Sequence, residues 1–229
     1  MSAESPVRGT RPVERSLDPK DITSLTIAGW TGRDQNAVET HIRELEALGV
    51  PRPASTPIFY RVSASLATTG TDIEVLGEAS SGEVEPVVIS LGGELWLGVG
   101  SDHTDRQAET FGVSLSKQMC PKPLGATLWR LGDIAGHLDD LSLRSYATQG
   151  SERRLYQDGS LAGIRPIGDL LELSGAGAVP AEGFTMFCGT IPVKGEIGPA
   201  SKFEMEIHDP VTGASLCSSY SIHNLPDRG

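Results

Sequence analysis

Ser80-Ser-Gly-Glu-Val-Glu-Pro-Val-Val-Ile-Ser90 combines a buried-strand pattern with two acidic residues. Its second half is a run of β-branched residues, which we expect to be buried in a strand. In its first half, Glu83 and Glu85 are two residues apart, so their side chains project from the same face of that strand. Two carboxylates at the edge of a core repel each other and are costly to desolvate. A hard divalent cation offsets both costs, and the pattern therefore predicts a metal-binding strand.

A third carboxylate follows soon after, at Asp102 in Gly100-Ser-Asp-His-Thr-Asp-Arg106. Three carboxylates around Mg²⁺ would leave a site with a charge near −1, and Mg²⁺ keeps several open positions that water or substrate oxygens can take. Taken alone, alternating glutamates are also typical of a solvent-exposed strand face. The local pattern therefore leaves both interpretations open.

Composition and charge limit the classes of function. The chain has 229 residues, 27 glycines, 15 prolines and a formal net charge of −11, with a pI near 4.9. Many glycines and prolines favour short strands and turns. The negative charge argues against nucleic acid and anionic membranes as partners. Three cysteines without C-x-x-C spacing are typical of a reducing compartment, and no apolar stretch reaches the roughly 18 residues of a membrane span, so we predict a cytoplasmic protein.

The domain organisation is predicted to be simple. Residues 1–21 are polar, contain three prolines and lack the apolar core of a signal peptide, so we predict a flexible or surface-laid arm. Residues 22–229 show neither an internal repeat nor a shift in composition, and we predict a single catalytic domain.

Strands dominate the predicted secondary structure. Asp34 is a candidate N-cap for a helix whose apolar positions recur at helical spacing until Gly49. Further helices are predicted over 105–111 and 128–141, a flexible loop over 174–181, and a tight turn at Gly92-Gly93. The predicted strands are 25–29, 58–62, 72–76, 82–90, 94–99, 184–189, 202–209 and 215–222.

Chemically reactive groups follow one another in a fixed order along the chain. They are His41-x-x-Glu44, Glu83-x-Glu85, Asp102-x-x-x-Arg106, Lys117 and Gly189-Thr190. Between Ala37 and Leu225, this ordered set resembles the fumarylacetoacetate hydrolase superfamily, which includes acylpyruvate hydrolases and oxaloacetate decarboxylases. For example, Val38-Glu-Thr-His-Ile-Arg-Glu-Leu resembles the family's Asn-Tyr-x-x-His-x-x-Glu segment, and Phe187-Cys-Gly-Thr-Ile resembles its Ser-Gly-Thr segment.

The resemblance implies a fold, a cofactor and a set of site residues. The fold would be α+β and mainly β, a rolled mixed sheet or β-sandwich like the family's catalytic domain, assembled as a homodimer. The cofactor would be Mg²⁺ or Mn²⁺, with Ca²⁺ as a further candidate. The implied metal ligands are Glu83, Glu85 and Asp102, the catalytic residues His41, Glu44 and Lys117, and the substrate-binding residues Arg106, Gly189 and Thr190.

The implied reaction is metal-dependent hydrolytic cleavage of a C–C bond, or decarboxylation, in a small 2-oxo acid or 1,3-dicarbonyl compound such as an acylpyruvate. Glu44 would orient the imidazole of His41, which would take a proton from water. Lys117 would stabilise the developing enolate oxygen. Arg106 would bind a substrate carboxylate with both arms of its guanidinium group.

The sequence departs from the family pattern around the expected substrate. The family's Asn-Tyr is Ala37-Val38 here, a lysine after the aromatic strand is Arg61, and a glutamine near the substrate carboxylate is Glu109. Lys117 is followed by Gln-Met-Cys-Pro-Lys-Pro in place of Ser-Phe. Three other functions therefore stay open: an isomerase or dehydratase of sugar-derived oxo acids, a non-catalytic small-acid binding protein on the same scaffold, and a structural domain without metal affinity.

Overall fold

The structure, a computed structural model, describes residues 9–47 and 52–228, apart from the side chains of His41 and Leu45. Its strands, in chain order, are β1 (Glu14–Ser16), β2 (Ser24–Gly29), β3 (Ile58–Val62), β4 (Ala67–Thr68), β5 (Asp72–Leu76), β6 (Ser80–Ser81), β7 (Val84–Leu91), β8 (Glu94–Ser101), β9 (Thr104–Asp105), β10 (Lys122–Pro123), β11 (Thr127–Arg130), β12 (Ser142–Gln149), β13 (Glu152–Ser160), β14 (Phe184–Phe187), β15 (Lys202–Asp209) and β16 (Ala214–Leu225).

The α-helices of the described residues are α1 (Gln35–Ala47), α2 (Arg106–Glu109), α3 (Val113–Met119), α4 (Leu131–Ile134) and α5 (Ile167–Leu173). Short 3₁₀ turns lie at Pro19–Asp21, Ala64–Leu66, Ala135–Asp140 and Leu161–Gly163. Asp34 caps α1, since its Oδ1 accepts hydrogen bonds from the backbone N–H groups of Asn36 at 2.9 Å and Ala37 at 3.2 Å. The predicted N-cap is therefore confirmed.

Most strands belong to two mixed sheets. The larger has seven strands in the order β1-β11-β8-β7-β14-β2-β3, and the smaller has five in the order β13-β12-β15-β16-β5. In the larger sheet β14 runs parallel to β2 and antiparallel to β7, and in the smaller sheet β16 runs parallel to β5. The prediction of a mainly β, α+β fold built from mixed sheets is confirmed.

The apolar core lies on both faces of the larger sheet. One cluster fills the space between the two sheets, with Val88 and Leu97 from the larger sheet and Met205 and Ile207 from the smaller. A second cluster, which includes Ile89, covers the opposite face of the larger sheet. Strand β7 is central and buried along its whole length, so its β-branched run fits the packing that its sequence indicates.

The predicted tight turn joins β7 to β8. Gly92 and Gly93 both have positive φ, 65° and 77°, and Leu91 pairs with Glu94 across them. Two positive φ angles match the twist of an antiparallel pair and favour glycine. This turn fixes the register of the two strands that carry the predicted metal ligands.

Other local predictions were wrong or incomplete. The predicted helix over 128–141 begins as strand β11, which pairs with β1 and β8, and becomes helical only from Leu131. Strands β12 and β13 and helix α5 were not predicted. In β12 the inward positions include Ser145 and Ala147, so the apolar alternation that signals a strand is weak there.

The N-terminal segment contributes to the larger sheet. Residues 1–8 lie outside the described part of the chain, whereas β1 adds an edge strand beside β11, and Leu17 is buried in the second apolar cluster. The predicted division into an arm and a single domain stays a prediction. Within the ranges described, no helix combines the length and apolarity needed to cross a membrane.

Candidate metal centre

Three carboxylates converge at the ends of β7 and β8. Each of Glu83, Glu85 and Asp102 offers an oxygen that lies within 4.8 Å of the other two. The antiparallel register explains the convergence, since Val84 pairs with Ser101 and the Asp102 N–H donates to the Glu83 carbonyl at 3.0 Å. The structure therefore brings together the three carboxylates that the sequence singles out, although Glu83 and Asp102 are nineteen residues apart in the chain.

Glu85 is the more deeply buried of the two glutamates, with 2% of its surface exposed. Burial, together with the nearby charges of Asp102 and Glu83, raises the pKa of Glu85 well above its ordinary value. The backbone N–H of Gly189 donates to Oε2 of Glu85 at 2.8 Å, which opposes this shift in part. Among the described residues Glu85 has no ion-pair partner, so a bound cation would relieve its unfavourable environment.

Asp102 is completely buried and is held by two lysines. Oδ2 accepts a short hydrogen bond from Nζ of Lys117, and Oδ1 lies 3.2 Å from Nζ of Lys122. Burial alone would raise the pKa of Asp102, but the two ammonium groups outweigh it and lower the pKa to about 2. Asp102 is therefore ionised at neutral pH.

Lys117 stands in the last turn of α3, with Tyr60 beside it. Its Nζ lies 5.8 Å from the centroid of the Tyr60 ring, within cation–π range. Burial favours the neutral amine, yet Asp102, Glu83 and Glu85 together raise the pKa of Lys117 above its ordinary value. Lys117 thus presents a stable positive charge beside the three carboxylates.

Arg106 holds the remaining glutamate. Its Nη2 lies 3.0 Å from Oε1 of Glu83, its Nη1 donates to Glu109 at 3.2 Å, and its Nε donates to Ser81 at 2.7 Å. In this arrangement the guanidinium orients Glu83. The predicted contact of Arg106 with a substrate carboxylate stays a prediction. It would require Glu109 to move away from Nη1 of Arg106.

Gly189 and Thr190 contact strand β7, which carries Glu85. Besides the Gly189 contact to Glu85, the Thr190 hydroxyl donates to the Val84 carbonyl at 2.7 Å and accepts from Nε2 of Gln157 at 2.7 Å. Gly189 has a φ of 99°, and a Cβ here would overlap the Thr31 hydroxyl. Glycine therefore allows the close approach that the sequence predicts, and contact of these two residues with a substrate stays a prediction.

A buried polar chain supports the strand ends from behind. Nδ1 of His103 lies 2.9 Å from the Tyr220 hydroxyl, which lies 2.8 Å from Ser101 Oγ. Ser101 Oγ in turn accepts a hydrogen bond from the Glu83 N–H at 3.2 Å. The other ring nitrogen of His103 lies 2.9 Å from Ser80 Oγ. Burial and the charges of Lys122 and Arg106 lower the pKa of His103 to about 3, so the imidazole is neutral at physiological pH.

The predicted catalytic pair on α1 is only partly described. The side chain of His41 lies outside the described residues, and Glu44 is exposed on the helix, outside the cluster of three carboxylates. The roles of His41 and Glu44 therefore stay predictions.

Sequence reasoning missed two buried residues of the site. Lys122 lies between two prolines, where nothing in the sequence signals burial. Gln157 binds the Val84 N–H through Oε1 at 2.9 Å, and it comes from β13, a strand that was not predicted. Their positions depend on pairing between distant segments.

The donor set fits a hard divalent cation. It consists of carboxylate oxygens on three side chains, and one of them, on Glu85, is buried among like charges. Two of the three carboxylates are positioned by cationic side chains, which pre-organises them for a ligand. The arrangement also offers an ammonium group, on Lys117, beside the place where a cation would sit.

Comparisons with known proteins identify the fold. The crystal structure of Cg1458 has a TM-score of 0.65 and 15% identity, and the match covers 90% of this chain and 77% of Cg1458. The yeast protein ynq8, a fumarylacetoacetate hydrolase family protein, has a TM-score of 0.62 and 15% identity, with 92% and 96% covered. A 2-keto-3-deoxy-D-arabinonate dehydratase complexed with magnesium and 2,5-dioxopentanoate has a TM-score of 0.64 and 15% identity, with 90% and 75% covered. The chain therefore has the fumarylacetoacetate hydrolase fold.

The family model described as "Protein of unknown function (DUF2848)" matches residues 28–220, and the chain belongs to this family. No curated protein sequence matches the chain. The matched residues contain the three carboxylates, both buried lysines and the Gly189-Thr190 pair.

Proposed function

We propose that this chain is a divalent-metal-dependent enzyme that cleaves a C–C bond in, or decarboxylates, a small 2-oxo acid or 1,3-dicarbonyl compound. The observation that carries the proposal is the convergence of Glu83, Glu85 and Asp102 within 4.8 Å, on a fold whose solved relatives include enzymes. One of these relatives is complexed with magnesium and an oxo acid, 2,5-dioxopentanoate. Mg²⁺ or Mn²⁺ suits the all-oxygen donor set.

The residues of the chain would divide the work by charge. Glu83, Glu85 and Asp102 would hold the cation, which supplies positive charge that polarises a carbonyl oxygen. Lys117 would donate a hydrogen bond to the oxygen on which negative charge develops when the bond breaks. Arg106 keeps Glu83 in place through the 3.0 Å ion pair, and Gly189 does the same for Glu85 through its N–H group.

The choice between reaction types depends on proton transfer. If His41 and Glu44 approach the site, they would activate water for hydrolysis, as the family resemblance implies. If the substrate has no second carbonyl group for water to attack, the same stabilisation of an enolate supports decarboxylation or dehydration. The dehydratase among the structural relatives favours dehydration of a sugar-derived oxo acid as the second candidate function.

The first experiment is a thermal-shift titration with Mg²⁺ and Mn²⁺, with and without oxalate, which mimics the enolate of pyruvate. We expect both ions to stabilise the protein and oxalate to deepen the stabilisation. Glu83→Gln should abolish the shift while leaving the protein folded. Its matched control is Glu204→Gln, which alters the first glutamate of a second Glu-x-Glu strand on another sheet.

The outcomes separate the candidate functions. A metal response that is lost in Glu83→Gln and kept in Glu204→Gln supports the site and justifies assays with acylpyruvates, oxaloacetate and sugar-derived oxo acids. Metal and oxalate binding without turnover of any of these substrates, and without an effect of His41→Ala on binding, would favour a small-acid binding protein. An absence of any shift would return Glu83 and Glu85 to a structural role.

Assembly and location belong to the same proposal. The resemblance to the fumarylacetoacetate hydrolase family suggests a homodimer, and the cysteine pattern suggests the cytoplasm. The net charge of −11 argues against nucleic acid and anionic membranes as partners, which leaves a small-molecule substrate. Sedimentation equilibrium of the purified chain measures the oligomeric state directly.

A further inference from the structure

Lys122 is a fully buried lysine, a rare situation for this residue type. Its Nζ donates to the His103 carbonyl at 2.5 Å and lies 3.2 Å from Oδ1 of Asp102. A buried ammonium is tolerated when hydrogen bonds and an opposite charge compensate it. The charge of Lys122 is therefore compensated by Asp102.

The backbone gives Lys122 little freedom to move. It opens β10, which pairs in parallel with β4 so that Lys122 lies opposite Ala67. Prolines flank it on both sides, and the N–H of Leu124 donates to the Thr68 carbonyl at 2.8 Å. The backbone at Lys122 is therefore held in place, and its buried ammonium group lies beside Asp102.

Lys117 differs from Lys122 in location, although both bind the same carboxylate. It lies at the end of helix α3, its side chain keeps 8% of its surface exposed, and the ring of Tyr60 lies next to its Nζ. Lys117 can therefore reach a ligand that enters beside the carboxylates, whereas Lys122 cannot.

We propose that Lys122 is a positioning residue that keeps Asp102 paired when Lys117 turns from it to an anionic ligand. Lys117 binds Oδ2 of Asp102 and Lys122 lies 3.2 Å from Oδ1, so the buried carboxylate keeps one counter-charge when Lys117 moves away. The inference rests on the proposed function, since it assigns the ligand as a small carboxylate bound with the cation.

The proposal predicts opposite changes in the affinities for cation and anion. Without the charge of Lys122, the three carboxylates attract a cation more strongly. At the same time Asp102 retains Lys117, so a small anion loses its hydrogen-bond donor. A purely structural role would weaken both affinities together or leave both unchanged.

The test uses Lys122→Gln, which retains a hydrogen-bond donor without the charge, and Lys122→Met, which retains the length without either. Mn²⁺ affinity is measured by electron paramagnetic resonance of the free ion, and oxalate affinity by calorimetry at saturating Mn²⁺. We expect Mn²⁺ to bind about tenfold more tightly and oxalate about tenfold more weakly in both variants. Lys194→Gln is the control, since Lys194 lies 3.8 Å from Asp158 on the surface, and it should change neither affinity.

The outcomes distinguish failure of the proposed function from failure of this inference alone. If the wild-type protein does not bind Mn²⁺, the proposed function fails and this inference fails with it. If the wild-type protein binds Mn²⁺ and oxalate but the variants shift both affinities in one direction, or neither, the inference alone is overturned. If both variants fail to fold, Lys122 serves the fold and the inference is likewise overturned.

Discussion

Two strands of this chain carry the same pattern, glutamate-x-glutamate, and place it in opposite environments. Glu83 and Glu85 lie at the start of β7 among buried groups, whereas Glu204 and Glu206 lie on β15, partly exposed. Glu204 pairs with Arg153 at 2.6 Å, and Glu206 accepts from the Ser215 hydroxyl at 2.9 Å. The two pairs have similar sequences but different electrostatics.

The difference comes from what covers each strand face. On β15 the intervening residues Met205 and Ile207 face the core between the sheets, and the glutamates take the opposite, outer side. On β7 both faces are covered, because apolar clusters lie on both sides of the larger sheet. A carboxylate on a doubly covered strand needs a counter-charge, and that need distinguishes a candidate metal strand from a solvated one.

The largest difference in Mn²⁺ affinity is expected between Glu85→Gln and its counterpart Glu206→Gln. Loss of a buried ligand should weaken Mn²⁺ binding by about 100-fold or more, because a neutral amide is a poor replacement for a carboxylate. Glu206→Gln should leave Mn²⁺ affinity unchanged. Electron paramagnetic resonance of free Mn²⁺ measures both, and equal affinities in the two variants would contradict the assignment of Glu85.

Glu85→Gln should also stabilise the metal-free protein. The raised pKa of Glu85 means that, above the ordinary glutamate range, the folded state holds a proton that the unfolded state has released. This group's contribution to stability is therefore fully present at low pH and is lost as the pH rises. In EDTA the variant should gain on the order of 2 kcal/mol over wild type at pH 8, with a smaller gain at pH 5. Urea unfolding at the two pH values checks the sign.

The largest expected loss of stability concerns Gly189, which closely approaches strand β7. In Gly189→Ala the new Cβ would overlap Thr31 Oγ1 and come within 2.9 Å of Thr31 Cβ, at a φ of 99°. We expect a loss of about 3 kcal/mol in the free energy of unfolding. Gly195 also has positive φ, 83°, but its Cβ would meet nothing closer than 3.8 Å.

Gly195→Ala is therefore the control, with an expected loss of about 1 kcal/mol from backbone strain alone. Denaturant unfolding of both variants measures the difference. Equal losses of unfolding free energy in the two variants would mean that Thr31 moves easily to make room for the new Cβ at position 189.

These comparisons show how far sequence carries in this molecule. Side chains at i and i+2 share a strand face, and one glycine turn sets the register that brings Asp102 to Glu83, so the convergence of these carboxylates was predictable from local pattern. The same pattern at Glu204 and Glu206 lies on a strand face that is partly exposed. Which strand is covered depends on the packing of two sheets, and this information is spread over the whole chain.

The positions of the residues that were not predicted also depend on pairing between distant segments of the chain. Lys122 is buried because β10 pairs with β4 across more than fifty residues, and a lysine between prolines has no local signal for burial. Gln157 reaches the metal strand from β13, where charged residues obscure the alternation. Segment 128–141 was predicted to be helical throughout, yet pairing with β8 makes its first residues a strand.

A smaller effect is expected from the buried histidine behind the site. The pKa of His103 is lowered to about 3, so the unfolded state binds a proton near pH 6 that the folded state does not. Its contribution to stability is therefore present above the ordinary histidine pKa and is lost as the pH falls toward 3. Between pH 7 and pH 5 this group should cost on the order of 2 kcal/mol.

The comparison protein is His103→Gln, which retains polar atoms for Ser80 and Tyr220. Its unfolding free energy should fall less than that of wild type over the same pH interval. Parallel pH profiles for the two proteins would show that His103 is not responsible.

The smallest effect belongs to the outer glutamates. The 2.6 Å pair of Glu204 with Arg153 lies at the surface, where the Arg153 side chain keeps 51% of its area exposed. Water and salt screen such pairs, so Glu204→Gln should cost less than about 1 kcal/mol, and less still at 0.5 M salt. Unfolding at low and high salt measures this cost. A cost comparable to that of a buried charge would mean that a partner covers this face of the sheet, and the contrast between the two glutamate pairs would then be one of assembly as well as of fold.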